Sequence, residues 1–151
     1  MPAALSYLVD TNILLRISRP DDSDYMQIGV TLKELERQSA QLCFSLQNVA
    51  EFWNVCTRPS ERNGYGLSTA ETNRRVEFVE RTMTFLPDNE RVYSTWRTLV
   101  SLHNVRGVQV HDARLAAIVL VCGVTRILTL KPADFIRYPH LQAIHPSEVH
   151  A

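Results

Sequence analysis

The chain has 151 residues, 45% of them hydrophobic, and a formal net charge of zero. Such a length and composition support one domain with a real core and exclude an intrinsically disordered chain. The balanced charge excludes a strongly basic nucleic-acid binder, so any contact with nucleic acid must come from local clusters.

All basic residues except Lys33 and Lys131 are arginine. This suits bidentate phosphate recognition, and it equally suits a bias of genome composition. The three cysteines, Cys43, Cys56 and Cys122, show no metal-ligand spacing and sit in apolar runs. They read as small packing residues in a reducing cytosol. The opening Met-Pro-Ala-Ala-Leu lacks the pattern of a signal peptide, and no apolar run reaches the roughly 18 residues of a membrane span. No internal repeat or long linker divides the chain, so residues 1–151 read as a single domain.

The first strand spans about Ser6 to Asp10 and is nearly all apolar, as in a parallel sheet covered on both faces. A short helix follows from about Asn12 to Ser18, then a turn over Arg19-Pro20-Asp21-Asp22. Ser23 or Asp24 can cap the next helix, which runs to about Ala40. Leu42-Cys43-Phe44-Ser45 is strand two. Helix three covers about Gln47 to Thr57, with Val49, Phe52, Trp53 and Cys56 as its apolar stripe and Glu51 off it. Arg58-Pro59 ends that helix, because the residue before proline avoids the α region. Glu61 to Leu67 is polar and reads as a mobile loop.

Ser68-Thr69-Ala70-Glu71 matches a capping box, which starts a helix running to about Arg81. Thr84-Phe85-Leu86 is a short strand stopped by Pro87. A helix over about Glu90 to His103 turns Val92, Trp96, Leu99 and Val100 to the core. The segment VHDARLAAIVLVCG is a helix buried nearly all round, with Ala113, Ala116, Ala117 and Leu120 on one stripe and Gly123 as its stop. Arg126 to Leu130 is strand four, Pro132 to Phe135 a turn or short helix, and Gln142-Ala143-Ile144 a last strand. Strands alternating with helices predict an α/β sandwich with a mainly parallel sheet.

In such sheets, sites form beyond the carboxyl ends of the strands. Asp10, Glu51 and Asp134 each follow a strand end, and Asp112 joins them if its helix starts at that edge. Two carboxylates about 4 Å apart repel by roughly 4 kcal/mol at an effective dielectric of about 20. A cluster of them calls for a counterion, and oxygen-only ligands favour Mg²⁺ or Mn²⁺ over zinc. Such a site suits phosphodiester hydrolysis. Each acid also has a plainer reading. Asp10 and Asp112 can cap helices, Glu51 can be solvated, and Asp134 can belong to a turn.

Four segments appear in order: YLVDTNILLR, SLQNVAEFWNVCTRP, GVQVHDARLAA and GVTRILTLKPADF. Together, from Tyr7 to about Pro146, they resemble PIN-domain proteins, specifically the VapC-type ribonuclease toxins of bacterial toxin–antitoxin pairs. The resemblance implies a three-layer α/β/α sandwich around about five mainly parallel strands. It implies a Mg²⁺- or Mn²⁺-dependent endoribonuclease of the cytoplasm, with an RNA substrate, an antitoxin partner, frequent dimerisation and no membrane association. On this resemblance Asp10, Glu51 and Asp112 match metal-holding acids and Asp134 matches a further catalytic acid. Thr11 and Asn12 match polar residues that orient the site.

The departure is Lys131, which stands where the family has Asn or Asp. Its ammonium can pair with a carboxylate of the site or point away. A weakened module acting through RNA or protein binding is therefore the alternative to an active nuclease. His111 can approach the scissile phosphate or bond locally. Arg114 can contact phosphate or pair with Glu51. Arg58, Arg62, Arg74 and Arg75 are either RNA contacts or solvated helix faces, and Trp53 and Trp96 read as packing. A phosphotransfer enzyme with Asp10 as nucleophile is a further rival, but haloacid-dehalogenase-like phosphatases place a second Asp where this chain has Asn12.

Overall fold

A computed structural model describes residues 5–150. Five short strands form the sheet: β1 Ser6–Val9, β2 Gln41–Ser45, β3 Thr84–Leu86, β4 Arg126–Leu128 and β5 Gln142–Ile144. Their order is β3-β2-β1-β4-β5, and every pairing is parallel. Six α-helices connect them: α1 Thr11–Ile17, α2 Tyr25–Arg37, α3 Leu46–Thr57, α4 Thr69–Thr82, α5 Glu90–Leu102 and α6 Gln109–Cys122.

Successive strand residues point to opposite faces, and this period of two divides the core. Leu8, Cys43 and Ile127 pack on one face with α5, α6 and the turn carrying Phe135 and Tyr138. Tyr7, Val9, Phe44 and Leu128 pack on the other face with residues of α1 to α4. The result is a three-layer α/β/α arrangement. With both faces covered, the central strands are apolar throughout, as the sequence suggested. Cys43 and Cys56 are buried free thiols, both pushed up to about 11 by burial, which makes them poor nucleophiles. No described helix is long and apolar enough to cross a membrane.

Several local expectations are corrected. Leu120 is 45% exposed, so α6 is not buried all round; its outer side faces solvent near the C-terminal end. Ser68 does cap α4 by accepting from the Glu71 amide. The Glu71 carboxylate does not complete the box, because Arg74 and Arg75 take both of its oxygens. Asp24 precedes α2 but makes no side-chain cap bond; Asp22 instead accepts from the Asp24 amide.

The loop read as mobile is tied down. The amides of Tyr65, Gly66 and Leu67 donate to the carbonyls of Val55, Arg58 and Cys56. Gly64 is required there, since a Cβ would run into the Arg58 carbonyl oxygen. Gly123 ends α6 in the left-handed region at φ 74°, the expected stop.

Candidate active site

β1 stops at Val9 because Asp10 leaves the sheet and becomes the N-cap of α1. Its Oδ1 accepts from the Thr11 amide at 2.8 Å, so the capping role is real. Asp10 is nevertheless only 8% exposed, more buried than a helix cap requires. Burial raises its pKa, and the hydrogen bonds from Thr129 and the Thr11 amide oppose that rise. Glu51 and Asp134 push it up further by repulsion. Capping and clustering are therefore not alternatives; the same carboxylate does both.

Two threonine hydroxyls aim their single protons at the acids. Thr129, one residue beyond β4, donates to Asp10 Oδ2 at 2.7 Å. Its oxygen accepts from the Lys131 amide at 3.0 Å and from Asn12 Nδ2 at 3.4 Å, which directs the proton toward Asp10. Thr11 donates to Glu51 Oε1 at 3.2 Å and accepts from Asn48 Nδ2 at 3.2 Å. Asn48 is fixed in turn, with its Oδ1 accepting from both the amide and the hydroxyl of Ser45. Hydrogen bonds to charged groups contribute about 1.5–3 kcal/mol each, enough to offset much of the cost of burying Asp10.

Asp112 lies on the first turn of α6, and Val108 rather than Asp112 is the N-cap. Its pKa is pushed up to about 6, by burial first and then by Asp10, Asp134 and Glu51. His111 lowers it least among these influences. The start of α6 therefore does face the edge where β1 ends. Gln47 fixes that start by donating from Nε2 to the His111 carbonyl at 2.8 Å. Asp134 is exposed on the 3₁₀ turn Pro132–Phe135, anchored by the buried Phe135. The topology thus brings Asp10, Glu51, Asp112 and Asp134 within electrostatic reach of one another.

Other sequence candidates fall elsewhere. Lys131 contributes its backbone amide to Thr129, while its exposed side chain enters no ion pair among the described residues. Arg114 pairs with Asp88 at 2.8 Å and not with Glu51. Arg74 and Arg75 are held by Glu71, and Arg58 donates to the Asn63 carbonyl. Trp53 and Trp96 are partly buried against the two cores, as packing residues should be.

Sequence reading missed Thr129, Asn48, Ser45 and Gln47. Thr129 had a signal, since it heads the ThrLeuLysProAlaAsp segment directly after a strand. Ser45 and Asn48 form a reciprocal cap with Asn in place of the usual Glu or Gln, so the pattern did not stand out.

A divalent ion fits the chemistry of this donor set. The acids offer only oxygens, they repel one another, and the main influences on Asp10 and Asp112 include no arginine or lysine. As the side chains stand, no three His, Cys, Asp or Glu among the described residues are close enough to enclose an ion. Asp10 in particular has both oxygens engaged by Thr11 and Thr129.

The five-stranded parallel sheet in the order β3-β2-β1-β4-β5, with its six helices, is a PIN-like α/β fold. Structural neighbours across nearly the full chain are VapC and FitB PIN-domain toxins. The structure of VapBC2 from Rickettsia felis bound to a DNA fragment from their promoter matches with a TM-score of 0.69 and 14% identity, over 93% of this chain and 98% of that one. VapBC-1 from nontypeable Haemophilus influenzae matches with a TM-score of 0.69 and 16% identity, over 95% and 99%. VapC20 from Mycobacterium tuberculosis, a sarcin-ricin loop cleaving toxin, matches with a TM-score of 0.59 and 15% identity, over 80% and 86%. At these identities the likeness is one of fold. No protein-family model matches the sequence, and no curated protein matches it.

Proposed function

We propose that the chain is a divalent-metal-dependent endoribonuclease and the toxin of a toxin–antitoxin pair. The observation that carries this reading is the carboxylate of Asp10, buried at the end of β1 and held by the Thr11 amide and Thr129, with Glu51 on the Thr11 hydroxyl; the raised Asp112 supports it. The shared fold with VapC proteins, one of them a sarcin-ricin loop cleaving toxin, supports it. An antitoxin partner, dimerisation and a cytoplasmic setting belong to the same proposal. So does Mg²⁺ or Mn²⁺ as cofactor.

Asp10, Glu51 and Asp112 would hold the ion, with Asp134 assisting. When bound, it supplies charge neutralisation at the phosphate and makes water a nucleophile near neutral pH. The chain's own residues prepare the site for this. Thr129 and the Thr11 amide oppose the rise that burial imposes on Asp10, and the Thr11 hydroxyl donates to Glu51. Gln47 holds the start of α6 so that Asp112 faces the same edge. Phe135 fixes the turn that presents Asp134.

The test is cleavage of single-stranded RNA by purified protein with Mg²⁺, Mn²⁺ or chelator, followed by sequencing of the new ends. Cleavage should need the ion and vanish in Asp10→Ala and Asp112→Ala, together with growth arrest on expression. Cleavage that persists in the double variant overturns the assignment.

Two observations favour a second reading, a PIN-like module that works by binding RNA or protein. No three ligand-type side chains among the described residues enclose an ion as they stand, and Lys131 replaces the usual Asn or Asp. Calorimetric titration with Mn²⁺ separates the two. Heat that depends on Asp10 supports the nuclease, and its absence supports the binding module.

A further inference from the structure

A pocket of about 450 Å³ opens between the N-terminal turns of α5 and α6, the helix whose first turn carries Asp112. Tyr93 and Trp96 of α5 form one wall, with ring centroids 6.3 Å apart at 40°. Trp96 is fixed, since its indole N–H donates to the Val110 carbonyl at 2.9 Å. Tyr93 is 64% exposed. Across from them, α6 contributes His111 and Arg114, the residues on either side of Asp112 and Ala113 in sequence. Asp88 holds Arg114 on this wall at 2.8 Å, which leaves most of its guanidinium donors free. Asn89 adds an amide at the rim.

We propose that this pocket receives an unpaired RNA base flanking the cleaved bond, stacked on Tyr93, with His111 and Arg114 against the adjoining phosphate. The inference rests on the ribonuclease reading and adds a binding residue to it. Three observations select this occupant. The volume suits a single nucleotide-sized group, within the roughly 300–1,000 Å³ of small-ligand sites. The first turn of α6 carries both Asp112 and His111, and His111 lines the pocket, so the pocket begins one residue from an acid of the site. A chain of zero net charge cannot rely on bulk attraction for RNA, and stacking on an aromatic ring provides affinity that does not depend on it. Sequence-specific contacts to RNA commonly use such splayed, stacked bases.

The experiment compares the wild type with Tyr93→Ala and Tyr93→Phe on a randomised single-stranded RNA library containing 4-thiouridine. Cleaved-end sequencing of the wild type should show a base preference at one position beside the cut. Tyr93→Ala should flatten that preference and lower kcat/KM about tenfold or more, mainly through KM, while Tyr93→Phe keeps both. Unchanged preference and kcat/KM in Tyr93→Ala overturn the pocket, and the ribonuclease reading then stands if Asp112→Asn still abolishes cleavage. If the wild type cuts nothing with either ion, the ribonuclease reading fails, and photocrosslinking decides the pocket. A crosslink at Tyr93 retains it as an RNA site, and none there overturns it. Light scattering covers the remaining outcome. A dimer that becomes monomeric in Tyr93→Ala, with kcat/KM per protomer unchanged, overturns the pocket in favour of an interface between two copies.

Discussion

Two kinds of acidic environment in this molecule act on the same carboxylate chemistry in opposite ways. On α4, Glu71 faces Arg74 at 2.6 Å and Arg75 at 3.2 Å, and those bonds hold its carboxyl below the usual range. On α2, Glu34 is lowered to about 2, chiefly by its bond to Arg37. At the sheet edge, Asp10 and Asp112 are both raised, by burial first and by neighbouring acids after it. Helical spacing explains the first pattern, since an arginine three or four residues on always lies beside the glutamate. Among the described residues, no arginine or lysine acts as such a partner to Asp10 or Asp112. Carboxylates raised by burial and by one another are costly to keep, and that cost is the physical argument for a function there.

The largest break in this contrast comes from removing a sheet-edge acid. Asp10→Ala or Asp112→Ala should reduce divalent-dependent RNA cleavage below detection, read on a labelled RNA in a gel assay. Circular dichroism should show the fold retained.

Next in size is Thr129→Val, which keeps the shape and removes the 2.7 Å bond to Asp10. It leaves a buried carboxylate oxygen short of a donor, so urea unfolding should show a loss of about 1–3 kcal/mol. Affinity for Mn²⁺ by calorimetry should fall about 10–100-fold, the usual effect of losing a group that orients a metal ligand. Wild-type values for both would show that Thr129 does not hold Asp10.

The pH dependence of stability sharpens the comparison further. Asp112 is raised to about 6 in the folded protein from an ordinary value of 3.8. Between those values the folded state binds more protons than the unfolded state, so stability falls as pH rises through that window and levels off above it. The raised Asp10 contributes with the same sign. The metal-free protein should therefore be more stable at pH 5 than at pH 7.5, by about 1–2 kcal/mol after allowing for solvent screening of the half-buried Asp112. Urea midpoints in chelator measure this, and Asp112→Asn should shrink the difference. Saturating Mn²⁺ should stabilise more at pH 7.5 than at pH 5, because the ion competes with protons for the same oxygens.

The smallest effect belongs to the compensated group. Glu71→Gln should leave cleavage and the urea midpoint essentially unchanged, since an exposed ion pair contributes little. A strong loss of activity in that variant would tie the α4 arginines to RNA after all.

Some of this was legible in the chain itself. Asp10 stood out because an acid closes an apolar run, and all five strands were found from short runs between helices. Asp112 was legible only conditionally, because its place depends on how the α5–α6 pair lies against the sheet. Arg114 shows the limit of local reading. Its partner is Asp88, 26 residues away, and not Glu51, the one acid the sequence offered as an alternative to a phosphate contact. The loop from Glu61 to Leu67 shows another. Its polar composition suggested looseness, but backbone hydrogen bonds to the end of α3 hold it, and composition carries no trace of those.

What the sequence determined by itself was the layering and the candidate acids. Side chains alternate along strands and repeat along helices, so the faces to be covered are written in residue spacing. What only the tertiary structure decided was the environment of those acids. Thr129 reaches Asp10 across 119 residues because β4 lies beside β1. Hydrogen-bond direction, burial and repulsion act through space, and only the folded arrangement of strand ends sets those distances.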